Sequence, residues 1–365
     1  MQPAKAQLFP FKGIAWEQHI SALGRTNRAL ARYAAMLTRL PSPELLLSPL
    51  TVQEAVLSSR IEGTFATMTE VLQFNAGAEP EQEAKRLDIE EINRYRNALS
   101  LAELKLKRRP FSLNLLLDMH RTLLTSTRGS NKMPGTFRRE QNYIGSRVGG
   151  VETIRFMPPA WETLPEALRN WEHYYHEDAP DPILQLGLIH AQFEFLHPFL
   201  DGNGRIGRIL IPLFLYERGL LPRPMFYLSE YIEEHRDEYI DHLQALGTTA
   251  GWNAWCTFFL TAVEAQADAN ATKADKIFNL YEELKSRFIT ATRSQYAVPL
   301  LDAIFQQPIF RASQLDMGEE TPSRVTLTNL LNELTREGAL EVAHPASGRS
   351  GQMYRLKKLL EIAEA

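Results

Sequence analysis

Apolar residues recur at spacings of three and four through most of the chain. The pattern runs through "EQHISALGRTNRALARYAAML" near the N-terminus, "ILQLGLIHAQFEFL" in the middle and "IFNLYEELKSRFI" towards the C-terminus, and it predicts a mainly α-helical protein. One segment breaks the period. In "NYIGSRVGGVETIRFMPP" short apolar runs flank Gly149-Gly150, which predicts a small β-hairpin. Punctuation falls at Pro41-Ser42-Pro43, Pro134-Gly135 and Pro308, and no repeat or low-complexity tract is present.

Composition narrows the class of protein. A chain of 365 residues with 44% hydrophobic and 23% charged residues can bury a substantial core over two or three domains. A net charge of −4 gives no global reason to expect nucleic acid or an anionic membrane as the main partner. The single cysteine, Cys256, excludes an intramolecular disulfide and a multi-cysteine zinc site, and its neighbours Trp255 and Phe258 predict a buried thiol. No signal-peptide run or stretch of about 18 apolar residues occurs. These features together point to the cytoplasm.

The densest chemistry lies in "HPFLDGNGRIGR", His197 to Arg208. Pro198 disfavours helical geometry at the residue before it, so the helix containing Ile183, Leu186, Ile189 and Phe193 is predicted to end near His197. "DGNG" is loop chemistry. "RIGRILIPLFLYERG" then resumes helical spacing up to Gly219, with a distortion expected at Pro212. Unpaired N–H groups at that second helix's start attract an anion. Arg205 and Arg208 share a face of its first turn, an arrangement costing roughly 0.3–1 kcal/mol per cation unless an anion sits there. A polyphosphate makes the arrangement sensible.

Other readings of the segment explain less. "GNGRIG" satisfies G-x-G-x-x-G, but it follows a helix and a Pro-containing loop where a dinucleotide site needs a strand and a βαβ unit. The P-loop pattern is absent. A transition-metal site from His197, Asp201 and His190 is an alternative, although Pro198 breaks the helical spacing that would align the first two. A tight helix–helix connection accounts for one or two glycines and leaves the arginines unexplained.

"HPFLDGNGRIGR" resembles the Fic family signature HPFx(D/E)GNGRxxR at every specified position, and the likeness extends to the helical N-terminal region, the hairpin and a C-terminal winged-helix-like segment. The resemblance implies transfer of AMP from ATP to a Ser, Thr or Tyr hydroxyl of a target protein, this chain itself included. It implies that His197 is the general base, that Asp201 holds Mg²⁺, and that the backbone of Gly202, Asn203 and Gly204 cradles the α- and β-phosphates. The Asn203 amide would orient the group under attack, while Arg205 and Arg208 bind outer phosphates; Ile206 and Gly207 complete the nucleotide-binding turn. These roles suit the residues: an unperturbed imidazole titrates near pH 6.5, Mg²⁺ prefers carboxylate and phosphate oxygens, and phosphoryl transfer relies on positioning and electrostatics. Phe199 reads as core. The hairpin, Tyr143 to Pro158, becomes a flap that pairs with an extended target segment, with Ile154, Arg155 and Phe156 nearest the site.

Upstream, "SSRIEG" matches the family's inhibitory pattern [ST]-x-x-x-E-[GN] through Ser58, Glu62 and Gly63. On a helix Ser58 and Glu62 share a face, and Gly63 lets the chain turn. By the resemblance Glu62 pairs with Arg208 and displaces it from the γ-phosphate, so the resting enzyme is weakly active. Past the signature, Tyr231, Tyr239 and Ile240 are candidates for the adenine pocket, with plain core the competing reading. Where some relatives carry an asparagine against the nucleotide, this chain has Gly247.

The C-terminal part reads as three helices followed by a two-stranded wing with "ASGRSG" at its tip, which resembles a winged helix-turn-helix. From Ala297 onward seven Lys/Arg stand against nine Asp/Glu, a poor footprint for DNA, although Arg324 and Arg349 are placed to touch phosphates. A structural or protein-binding role is favoured. The expected organisation is an N-terminal helical region (1–105), a catalytic core (106–262), a linker helix (263–294) and the winged-helix-like domain (295–365). Homodimer formation is a further implication of the family. Two rivals to the transferase stay open: a hydrolase removing AMP from a modified protein, with Glu62 orienting water, and a nucleotide-sensing DNA-binding regulator.

Overall fold

The computed structural model describes residues 2–125, 132–148, 151–347 and 350–365. The chain divides into two compact units, one of residues 1–34, 57–63 and 93–268, the other of residues 35–56, 64–92 and 269–365. Both are mainly helical, as the periodicity predicts.

The first unit is built around the helix Pro182–Leu196. Every residue from Ile183 to Leu196 is buried, as expected for a helix apolar on all faces. Asp181 caps its start, accepting from the N–H groups of Ile183 (2.8 Å) and Leu184 (3.1 Å). The helix ends at His197, whose φ of 47° and ψ of 59° are left-handed, the conformation that closes the helix before Pro198. The helix Asn203–Glu217 packs against it and runs through Pro212 without interruption, so the distortion expected there does not break the element. Gly219, at φ 69°, turns the chain just beyond.

The hairpin is present. Strands Ile144–Val148 and Val151–Phe156 pair antiparallel, with Ile144 opposite Phe156, Gly145 opposite Ile154, and an irregularity between Ile144 and Gly145. The expected turn at Gly149-Gly150 lies outside the described residues. Cys256 is fully buried, within a single helix, Thr249–Thr292. No described helix is long and apolar enough to cross a membrane.

In the second unit the helix Met68–Asn75 begins with a capping box, Thr67 accepting from the Glu70 N–H and Glu70 from the Thr67 N–H. Its C-terminal segment runs helix Ala297–Gln306, strand Ile309–Arg311, helix Arg324–Arg336, strand Glu341–His344, strand Met353–Arg355 and helix Lys357–Glu364. The three strands form a sheet in which Met353–Arg355 is central. This order departs from the expected three helices and two-stranded wing at one element. The predicted middle helix is instead a strand followed by 3-10 turns at Ala312–Gln314 and Gly318–Glu320, because Ile309, Phe310 and Arg311 pair with Arg355, Tyr354 and Met353. Arg349 at the wing tip lies outside the described residues. Arg336, Arg355, Lys357 and Lys358 each face a carboxylate, and Arg311 donates to the carbonyl of Ala76.

Candidate active site

The turn between the two core helices is held by its own side chains. Asn203, 2% exposed, accepts from the Phe199 N–H and donates to the Phe199 carbonyl, each at 2.9 Å. The side-chain amide expected to orient a reacting group is thus engaged in closing the loop. Gly202, at φ 78°, precedes the helix in a left-handed conformation that a side chain would strain. Ile206 is core, its N–H donating to the Gly202 carbonyl at 3.0 Å. Arg205 donates to Asp201 Oδ1 at 3.2 Å.

His197 is oriented by backbone. Its Nδ1 lies 3.3 Å from the Glu194 carbonyl, which can only accept, so Nδ1 carries the proton and Nε2 keeps a lone pair. Burial pushes the imidazole down to about 4, against the opposing pull of that carbonyl and of Glu62. Two residues that sequence reasoning missed fix the same turn. Arg138, 2% exposed, donates through Nε to the His197 carbonyl (2.9 Å) and through Nη2 to that of Pro159 (2.6 Å), while its N–H donates to Pro198. His120, stacked on Phe199 at 3.7 Å, accepts from the Gly135 N–H (2.9 Å) and so must donate from Nε2 to the Asp201 carbonyl (3.0 Å).

Ser58, Glu62 and Gly63 arrive at this turn from far upstream. Arg208 donates through Nε to Ser58 Oγ (2.8 Å) and through Nη2 to the Ser58 carbonyl (2.8 Å) and Glu62 Oε1 (2.7 Å). Glu62 stands one residue past the end of the helix Ser48–Ile61, in a turn completed by Gly63 at φ 101°. Burial pushes its carboxyl up, but the charge and hydrogen bond of Arg208, helped by Arg205 and His197, outweigh it and hold the group below the usual carboxylate range. A Cβ added at Gly204 would collide with Glu62 Oε1, so the glycine is what admits the carboxylate.

Glu62, His197, Gly204 and Arg208 line an open cavity of about 480 Å³ that also takes in Glu194, Phe195, Arg236, Tyr239, Ile240 and, from the hairpin, Ile144, Gly145, Arg155 and Phe156; Ser58, Asp201 and Arg205 are not among its lining residues. Tyr239 is 4% exposed and donates to His190 Nε2 at 2.9 Å, while His190 Nδ1 faces the Gly207 carbonyl at 3.0 Å. Both His190 nitrogens are therefore engaged away from Asp201. Among the described residues no cluster of three His, Cys, Asp or Glu could hold a metal. Tyr231 is not brought to this cavity. It stacks on His235 at 4.0 Å and lines a separate hollow with Glu238, His242 and Phe258. Ile154 is exposed beside the cavity-lining Arg155, and Gly247 ends a 3-10 turn away from it.

Comparison with known proteins agrees with this architecture. The family model for the Fic/DOC family N-terminal region matches residues 20–103, and that of the Fic/DOC family matches residues 110–215. A probable protein adenylyltransferase of Aquifex aeolicus is 29% identical over 202 residues, covering 53% of this chain and 57% of the relative. Protein adenylyltransferase Fic of Drosophila virilis is 30% identical over 132 residues, 35% of this chain and 24% of that protein. The chain thus spans little more than half of the first relative and a quarter of the second. Among solved structures, a Fic family protein from Desulfovibrio desulfuricans superposes with a TM-score of 0.58 at 20% identity, over 98% of both chains. Fic-1 from Caenorhabditis elegans gives 0.54 at 20% identity, over 72% of this chain and 74% of that one. With both models matched in order and the signature turn folded between two core helices, the chain belongs to the Fic/DOC family.

Proposed function

We propose that this chain is a protein adenylyltransferase that moves AMP from ATP to a Ser, Thr or Tyr hydroxyl of a protein, and that Glu62 holds it in an inhibited state. The observation that carries the reading is the Glu62–Arg208 pair beside His197 in one cavity. In this reading the N–H groups at the start of the helix Asn203–Glu217 receive the α- and β-phosphates, and Arg205 and Arg208 the outer ones. His197 takes the hydroxyl proton at Nε2. Its low folded pKa keeps it neutral at pH 7, and the negative charge of a bound nucleotide raises it towards the operating pH.

Asp201 fits a role in holding Mg²⁺. Its side chain is 41% exposed beside the phosphate cradle, and a single carboxylate suffices for an ion bound mostly by phosphate and water oxygens. When bound, Mg²⁺ neutralises phosphate charge. Tyr239 and Ile240 supply the cavity wall for the base, and the strands Ile144–Val148 and Val151–Phe156 offer backbone pairing to an extended target. A nucleotide-dependent enzyme with one buried thiol suits the cytoplasm. In the C-terminal segment, the pairing of Arg336, Arg355, Lys357 and Lys358 with carboxylates supports a structural or protein-binding role over DNA binding.

The test is incorporation of α-labelled ATP, with Mg²⁺, into lysate proteins by wild type, Glu62→Gly, and Glu62→Gly with His197→Ala. Strong labelling by Glu62→Gly alone supports the reading. Equal labelling by the double variant removes His197 from the chemistry, and none in any form despite ATP binding favours the hydrolase.

A further inference from the structure

Glu194 is a buried acid that the mechanism above leaves without work. Its side chain reaches the cavity from the helix Pro182–Leu196, three residues before His197, yet the residue is only 8% exposed. Oε1 is fully buried and has no hydrogen-bond partner among the described residues. An unpaired carboxyl oxygen in that position is costly unless something else uses it.

Its seat repeats that of Glu62. A Cβ at Gly204 would strike Glu62 Oε1, and a Cβ at Gly207 would strike Glu194 Oε1. Gly204 and Gly207 are three apart on one helix, so their faces are neighbours about 5–6 Å apart. Two carboxyl groups therefore lie side by side on adjacent glycines of the helix Asn203–Glu217, in the same cavity as Arg208.

The two differ in protonation. Arg208 holds Glu62 ionised, whereas burial pushes Glu194 up to about 8, Glu62 adding to the effect and Arg208 opposing it. Among the described residues Arg155, Arg236 and His197 line the same cavity, while two further groups lie against Glu194: Tyr239 from the helix Arg236–Gln244, pushed well above its usual range by burial, and His190, beside the same Gly207 and pushed down to about 3 by burial. Neither supplies a charge near neutral pH. Glu194 is then a carboxylic acid with an O–H donor to spend.

We propose that Glu194, in its protonated form, donates a hydrogen bond to the terminal phosphate of the nucleoside triphosphate that takes the place of Glu62 at Arg208. A phosphate on the Glu62 seat puts an oxygen next to the Gly207 seat, where an acid donates and a carboxylate repels. Glu194 thereby selects a triphosphate over a diphosphate and makes that selection pH-dependent. The inference rests on the nucleotide reading of the cavity.

The experiment is calorimetric binding of ATP and ADP, with Mg²⁺, to the whole chain carrying Glu62→Gly between about pH 5 and pH 9, a window extended to acid because removing Glu62 takes away one of the charges that raise Glu194, alone and with Glu194→Gln, which keeps a donor and cannot ionise. The expected result is ATP affinity falling about tenfold as Glu194 ionises, with ADP unaffected and Glu194→Gln flat. Equal pH dependence for ATP and ADP, or its persistence in Glu194→Gln, overturns the inference and leaves the transferase standing. No ATP binding at any pH overturns both. ATP-selective pH dependence without label transfer supports the inference and contradicts the transferase. Should Glu194→Gln not fold, infrared difference spectra of Glu62→Gly decide: a protonated carboxyl band shifting with ATP and not with ADP is expected, and an unmoved band contradicts the role.

Discussion

Glu62 Oε1 accepts a 2.7 Å hydrogen bond from Arg208 Nη2 across 146 residues of chain, while the same guanidinium donates twice to Ser58. Arg208 is 2% exposed, so every donor it spends on Ser58 and Glu62 is unavailable to a nucleotide. In the proposed function, inhibition is a competition between anions for one buried cation.

Removing the competitor is expected to activate. A charged hydrogen bond contributes about 1.5–3 kcal/mol, reduced to about 1–2 here because the Glu62 side chain is 39% exposed and partly screened. Glu62→Gly should raise initial transfer rates roughly 5–30-fold at subsaturating ATP. Unchanged rates would mean that Arg208 is free to exchange partners at no cost.

Gly204→Ala separates the two roles of the same seat. The added Cβ collides with Glu62 Oε1 and weakens its pair with Arg208, but it also fills the space a phosphate needs. The expected outcome is loss of ATP binding by calorimetry, with no activation. Activation would place the phosphates elsewhere.

Arg138→Lys tests the backbone scaffold of His197. Lysine has no planar fork, so it cannot serve the carbonyls of both His197 and Pro159; Asn142 also donates to the first, whereas loss of the donor to the buried Pro159 carbonyl costs about 1–3 kcal/mol. A lower unfolding midpoint in urea and roughly a hundredfold loss of transfer in the Glu62→Gly background are expected, with ATP affinity little changed. Full activity in a destabilised protein would reduce Arg138 to a folding role.

Acid should destabilise the fold. Burial pushes His120, His190 and His197 down to about 4, 3 and 4, so all three stay neutral when folded and take up a proton in the unfolded chain below about pH 6.5. The unfolded state then binds more protons, and stability falls as pH drops from about 6.5 towards 4, by up to about 1.4 kcal/mol per pH unit for each histidine. Urea unfolding at about pH 7 and pH 5 measures this, and His120→Asn should shrink the difference.

What the sequence made legible was local. The turn from His197 to Arg208 is contiguous, so its end-of-helix proline, glycines and arginines could be read together, and the hairpin announced itself through period and glycines. Ser58 and Glu62 were legible only through a short pattern, since nothing local tells a glutamate past a helix end that Arg208 awaits it. Arg138, His120 and Glu194 left no signal. A buried arginine that donates to carbonyls, a histidine bridging two backbones and an acid resting on a glycine are properties of packing. Tyr231 shows the converse: its spacing matches Tyr239, but its ring stacks on His235 and lines a separate hollow, which spacing alone does not reveal. The strand Ile309–Arg311 was missed because its partner lies more than forty residues on, at Met353–Arg355.

The most direct measurement compares α-labelled with γ-labelled ATP in Glu62→Gly, scoring label on protein. Incorporation of the α-label, none of the γ-label, and loss of signal when His197→Ala is added are expected. Incorporation of the γ-label, or α-labelling that survives His197→Ala, would contradict the proposed function.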